Sequence, residues 1–463
     1  MNRTEAVERD EFRTPCSPRD IRVVQITSDT TRDSEAFYLD LNSWTADGKR
    51  LAFHRGPSDD GARPAGFWLC DVENAFEIAP IHEYRNYRPG FESAGDSEYG
   101  CVLEPAGSCA YLLERRSDRM LVSRLPLDRP DRREAVCEAP APLLARGSLS
   151  ISADGERVCC GVFLGDGRRE GAPWGAYVFD VRRGTWRSIE FGNGYRNMHC
   201  QYSHDPDSRF SHDILLNASL PRFADGSWLT PPDGSWRFKD LPTLPDDLGG
   251  AYTVVRDDGT DWRMVPLGRD SNMRNGGHNT WRGRTYSVVG SAYHTPPERW
   301  RAPLLEAAPL PIGTEADAWL GQRHPNARCV DLTRRLARAD SCHFGFDASG
   351  VHFVSDTDGY AKAEYSFLYV GTHVQRPGDD PRVETRYLLL PRTSWKTQPA
   401  HPHPYLSPDG RYVVFQSDFT GRPQVYVAYE FDYPPDPHGN ERSSDPDGEA
   451  ASLGKTYKDG HAR

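Results

Sequence analysis

The sequence predicts an all-β protein, a seven-bladed β-propeller closed by an N-terminal strand, and three features carry that prediction. A polar turn recurs along the chain, an alternating apolar strand follows it, and a third strand rich in Val, Tyr, Phe or Ala follows each hairpin. Repeats of about 40–50 residues with this pattern are the signature of propeller blades. A four-stranded sheet cannot cover both of its faces alone, so such units stack around an axis.

The turn reads Thr45-Ala46-Asp47-Gly48, Ser152-Ala153-Asp154-Gly155, Asp347-Ala348-Ser349-Gly350 and Ser407-Pro408-Asp409-Gly410. Weaker copies stand at 105–107 and 204–207. Asp and Gly permit a tight reversal between antiparallel strands. The blades are expected at 37–79, 99–139, 146–192, 199–268, 277–332, 342–391 and 401–431. The run Arg22-Val23-Val24-Gln25-Ile26-Thr27 is expected to supply the outer strand of the last blade, which removes exposed sheet edges.

The propeller is thus expected over 21–432, between a mobile N-terminal segment (1–20) and a mobile tail (433–463), both polar. The stretch 219–249, rich in Pro, Asp and Trp, is too long for a simple blade loop and reads as an insertion or lid in blade four.

Composition narrows the function. The formal net charge is −11, which argues against a nucleic-acid partner, because phosphate binding needs a basic surface. No run of about 18 apolar residues occurs, so no membrane span is expected. The charged N-terminus does not read as a secretory leader, and ten scattered cysteines without a CxxC pair read as reduced thiols of a cytoplasmic protein.

The chemistry concentrates on histidines. In Gln398-Pro399-Ala400-His401-Pro402-His403-Pro404 the prolines exclude a helix and hold the chain extended, so His401 and His403 share one face. Gln398 offers an amide oxygen just upstream. His403 lies seven positions before Gly410, and His343 lies seven before Gly350 one blade earlier. Equal offsets place both at the start of an innermost strand, facing the central channel. His343, Gln398, His401 and His403 therefore form a candidate metal-ligand set, suited to Mn²⁺, Fe²⁺ or Zn²⁺. An HxH pair beside prolines also suits a surface loop. His278 and His199 open blades in a similar way, which equally suits packed channel histidines. Trp395 either packs between blades or flanks a sugar.

These residues carry a resemblance. Gln398, His401, His403 and Pro404, with Ser394-Trp395 upstream, His343 ahead of its turn, and His278 three before Trp281, resemble the oligogalacturonate lyase family of seven-bladed propellers. So does the ending Ser417-Asp418-Phe419-Thr420-Gly421. The resemblance implies a cytoplasmic enzyme that cleaves short, acidic pectin fragments by β-elimination with a divalent metal, usually manganese. It implies metal ligation by His343, Gln398, His401 and His403, with His278 as general base. His199, Arg222 and Trp395 are the expected substrate contacts. The chain departs from the family in blade four: the stretch 247–252 lacks the family's arginine, and Leu216-Asn217-Ala218-Ser219 replaces its His-Glu pair. Arg222 or Arg237 is the expected substitute. A uronate isomerase or epimerase, and a TolB-type binding propeller, are the alternatives that share parts of this pattern.

Overall fold

The computed structural model describes residues 3–38, 43–85, 97–142, 144–165, 173–192, 199–217, 252–267, 273–294, 302–314, 325, 327–336, 340–357, 359 and 363–435. The expected insertion at 219–249, Arg222, Arg237 and the tail beyond 435 lie outside them.

Seven antiparallel sheets follow one another along the chain. Their innermost strands are Ser34–Ala36, Ser97–Leu103, Ala145–Ile151, Gln201–Tyr202, Met273–Trp281, Phe344–Phe346 and Tyr405–Leu406, for blades one to seven. Each blade then steps outward through hairpins. The recurrent turn has a common construction. Thr45, Ser152 and Ser407 each direct a hydroxyl onto the Asp two residues on, and that carboxylate accepts the backbone N–H of Lys49, Glu156 or Arg411. The following glycine takes the left-handed region, at φ 68° for Gly48 and 73° for Gly410, which a Cβ would disfavour.

Apolar residues fill the spaces between neighbouring sheets. One cluster, with Leu113, Met120, Leu149 and Phe179, joins blades two and three; another, with Trp44, Phe53, Val414 and Val427, joins blades seven and one. The ring closes as the sequence predicts: Arg22–Gln25 pairs antiparallel with Gln424–Tyr429, the outer strand of the last hairpin. No α-helix occurs among the described residues.

The N-terminal segment extends two of the sheets. Val7–Glu8 adds a further strand beside Arg22–Gln25, and Arg3–Thr4 pairs with the outer strand Glu77–Glu83 of blade one. Phe12 is fully buried against Phe415, Phe419 and Tyr426. The Glu5 carboxylate meets the buried Arg55 guanidinium at 3.1 and 3.2 Å. One aromatic ring and one carboxylate, each with a distant partner, hold a segment whose composition is polar. At the other end, Tyr433 stacks on His352 and donates to the Gly410 carbonyl at 2.7 Å.

The turn side of the central channel encloses a cavity of about 400 Å³, with Ala46, Ala106, Ala153, Ala348 and Pro408 among its lining. His343 and His403 sit at the other ends of their inner strands, just before Phe344–Phe346 and Tyr405–Leu406.

Candidate metal centre

Hairpin register builds the site. In blade six, Phe344 pairs with Ser355, so His343 stands opposite Asp356. In blade seven, Tyr405 pairs with Val414, so His403 stands opposite Gln416. In blade five, Asn279 pairs with Gly290, and His278 precedes it where the pairing register shifts. Blades six and seven thus offer an imidazole at the same register, each backed by a polar residue of the second strand, and blade five adds a third from the neighbouring inner strand. His278 lies within a bulge between Asn275 and Asn279, the kind of irregularity that re-aims a side chain.

The donor atoms of His343, His401 and His403 lie within 4.8 Å of one another. Ring centroids are 4.3 Å apart for His343 and His403, and 5.4 Å for His401 and His403. All three are buried. The His343 ring is fixed from behind: Asp356 Oδ2 lies 2.8 Å from Nδ1, and Oδ1 accepts the His343 backbone N–H at 2.7 Å. Gln416 Nε2 lies 3.1 Å from His403 Nδ1, while Gln416 Oε1 accepts the Ala36 N–H at 2.9 Å. His403 Nε2 is buried without a hydrogen-bond partner. A buried nitrogen in that condition costs free energy unless something else satisfies it. The convergence of three imidazoles, one carboxylate-backed, suits a first-row divalent cation and follows the usual carboxylate–histidine–metal pattern.

The approach to these ligands differs from the expected extended chain. Gln398–Ala400 forms one 3-10 turn, with Pro399 in its first positions, where a missing N–H costs nothing. Gln398 is exposed and His401 donates its N–H to the Gln398 carbonyl at 3.1 Å. Past the turn, His401 is extended (φ −81°, ψ 146°) and His403 is left-handed at φ 41°.

His278 joins the cluster from blade five, its ring 4.4 Å from that of His343. Burial, followed by the neighbouring imidazoles His343, His199 and His401, holds His278 well below the ordinary histidine range. Burial does the same to His403, reinforced by His343, His401 and His278. Both rings are therefore neutral, the form that can accept a proton or bind a cation. His199 is half-buried, 5.5 Å from the Tyr38 ring, which also meets His403 edge-on at 4.9 Å. Trp395 is buried, and its ring lies over His401 at 4.8 Å and His343 at 5.6 Å. Sequence reasoning did not single out Asp356, Gln416, Tyr38 or Cys342. The first two were visible in principle, because counting hairpin pairs outward from the Asp-Gly turn places them opposite the histidines.

No family model matches the chain. It is 35% identical to the oligogalacturonide lyase of Pectobacterium atrosepticum over 398 residues, spanning 82% of this chain and 86% of that protein. The chain belongs to the oligogalacturonide lyase family. A shorter match of 31% identity over 103 residues joins it to the oligogalacturonate lyase of Dickeya dadantii, covering 20% of this chain and 22% of that one. Among solved structures, an oligogalacturonate lyase in complex with manganese superposes with a TM-score of 0.61 at 18% identity, over 93% of this chain and 99% of the other. The oligogalacturonate lyase of Vibrio parahaemolyticus gives 0.59 at 14% identity, over 92% and 98%. At these identities the superpositions speak for the lyase family's propeller fold.

Proposed function

We propose that this chain cleaves short oligogalacturonides, such as pectin fragments, by metal-dependent β-elimination. The observation that carries the reading is the convergence of His343, His401 and His403 beside a neutral His278, in a member of the lyase family. His343, His401 and His403 would hold the cation, with the Gln398 amide oxygen as a fourth donor. A divalent ion there, manganese by analogy with the solved relative, supplies positive charge to the uronate carboxylate and so acidifies the adjacent C5–H.

The chain's own residues do the rest. Asp356 and Gln416 orient the His343 and His403 rings. His278 takes the C5 proton: the C5–H pair becomes the C4=C5 double bond, the C4–O bond breaks, and the departing oxygen is protonated from solvent. A neutral imidazole is the protonation state that a general base needs. His199 and Trp395 flank the substrate space, and Arg222 replaces the family's missing arginine charge. All ten cysteines are free thiols, which supports a reducing, cytoplasmic setting. No helix among the described residues is long and apolar enough to cross a membrane.

The test is the ultraviolet absorbance of the unsaturated product, formed from digalacturonate and longer oligomers with Mn²⁺ present. His278→Ala is expected to lower turnover by about 10²–10⁴-fold while Mn²⁺ binding persists. Silence of the wild-type protein towards every oligogalacturonide tried would overturn the reading.

A further inference from the structure

We propose that Cys342 gives the protein a second cation position, formed with His278 and His343, which takes thiophilic divalent ions of the zinc class and excludes occupation of the trihistidine position.

The donor atoms of His278, Cys342 and His343 lie within 4.8 Å of one another. Cys342 Sγ is 3.8 Å from His278 Nδ1 and 4.0 Å from His343 Nε2. With Zn–S of about 2.3 Å and Zn–N of about 2.0 Å, a tetrahedral ion needs an S···N edge of about 3.5 Å. The two edges would close by only about 0.3 and 0.5 Å from their present lengths. Cys342 and His343 are neighbours in sequence, yet both reach this point. The inner strand begins only at Phe344, so strand alternation does not yet turn them to opposite faces.

Exclusion follows from His343. Its Nδ1 is engaged by Asp356, which leaves Nε2 as the nitrogen both positions require. An imidazole nitrogen donates its lone pair to one ion at a time. The thiolate makes the difference: three imidazoles accept manganese and zinc alike, whereas a thiolate discriminates against manganese and favours zinc, cadmium or cobalt, so only the softer ions are drawn to Cys342. Binding breaks the Cys342 S–H bond, forms an S–metal bond and releases the proton to solvent, with no redox change. Resting on the lyase reading above, an ion at Cys342 also occupies His278, so zinc-class ions act as inhibitors that remove the base.

The test uses the full chain stripped of metal and titrated with Co²⁺ alone. Wild-type protein is expected to show a near-ultraviolet thiolate-to-cobalt charge-transfer band, which Cys342→Ser abolishes. Cd²⁺ affinity is expected to fall at least about tenfold in Cys342→Ser and Cys342→Ala. Mn²⁺ binding, followed by electron paramagnetic resonance in the same preparations, reports that each variant is folded. Cobalt bound to wild type without the band, or a band that survives Cys342→Ser, would overturn the proposal. Simultaneous stoichiometric Mn²⁺ and an undiminished cobalt band would overturn the exclusion. Mn²⁺ binding that survives both His401→Ala and His403→Ala would sink the trihistidine reading instead, and leaves the cobalt band to be judged by itself.

Discussion

Replacing Asp356 by Asn probes how the proposed metal centre is held without replacing any proposed ligand. The Asp356 carboxylate makes two contacts with His343, one to the ring Nδ1 at 2.8 Å and one to the backbone N–H at 2.7 Å, and both residues are fully buried. An amide has one acceptor oxygen, so Asn serves only one of them. If it keeps the backbone bond, its NH₂ faces Nδ1 and forces the ring proton onto Nε2, the nitrogen that coordination needs. If it keeps the ring bond, a buried N–H faces an NH₂. Either arrangement also removes the negative charge that raises the basicity of the ring. Loss of such an outer partner costs about 10- to 100-fold in metal affinity, or about 1.4–2.7 kcal/mol. The assay is Mn²⁺ titration of metal-free wild type and Asp356→Asn by electron paramagnetic resonance, with thermal unfolding of both metal-free forms as the folding control. A folded variant that binds Mn²⁺ within a factor of about two of wild type would refute the reasoning.

Two further outcomes follow from other parts of the molecule. His212 bridges Asp154 at 2.9 Å and Asp257 at 3.2 Å, and these hydrogen bonds raise its pKa to about 9. A raised folded-state pKa stabilises fully below the unfolded value of about 6.5 and is lost as pH rises through about 9. Between pH 7 and pH 10 the Tm of wild type should therefore fall more than that of His212→Gln, and parallel curves would show that the bridge contributes nothing. In blade six, a Cβ on Gly371 would lie 2.2 Å from the Phe353 ring and 2.7 Å from the Glu384 carbonyl. Gly371→Ala should cost about 1–3 kcal/mol, read as a lower urea midpoint, and an unchanged midpoint would mean that the ring yields freely.

The fold was legible because its signal is local and repeated. Each Ser/Thr–x–Asp–Gly turn fixes its own hairpin through bonds that span two to five residues, so the pattern survives in sequence. The equal offsets of His343 and His403 carried meaning for the same reason: Gly350 and Gly410 adopt matching conformations, at φ 69° and 73°. Two things escaped. The 3-10 turn at Gln398–Ala400 arises because proline is tolerated where a helix begins, so an extended reading of that stretch gave the wrong pitch. The anchoring of Phe12 and Glu5 depends on Phe415 and Arg55, partners far along the chain that no local pattern reveals.

The closing strand has a consequence for biosynthesis. Arg22–Gln25 is made first, yet its partner Gln424–Tyr429 is made among the last residues of the ring. The newborn chain must keep that segment waiting while more than six blades emerge, and the cost of joining such distant ends is met only at the final step. The histidines from blades five, six and seven arrive in the same late interval. Closure of the ring and convergence of His343, His401 and His403 both wait on the last blade, and a metal ion captured then would act as a latch on the newly made molecule.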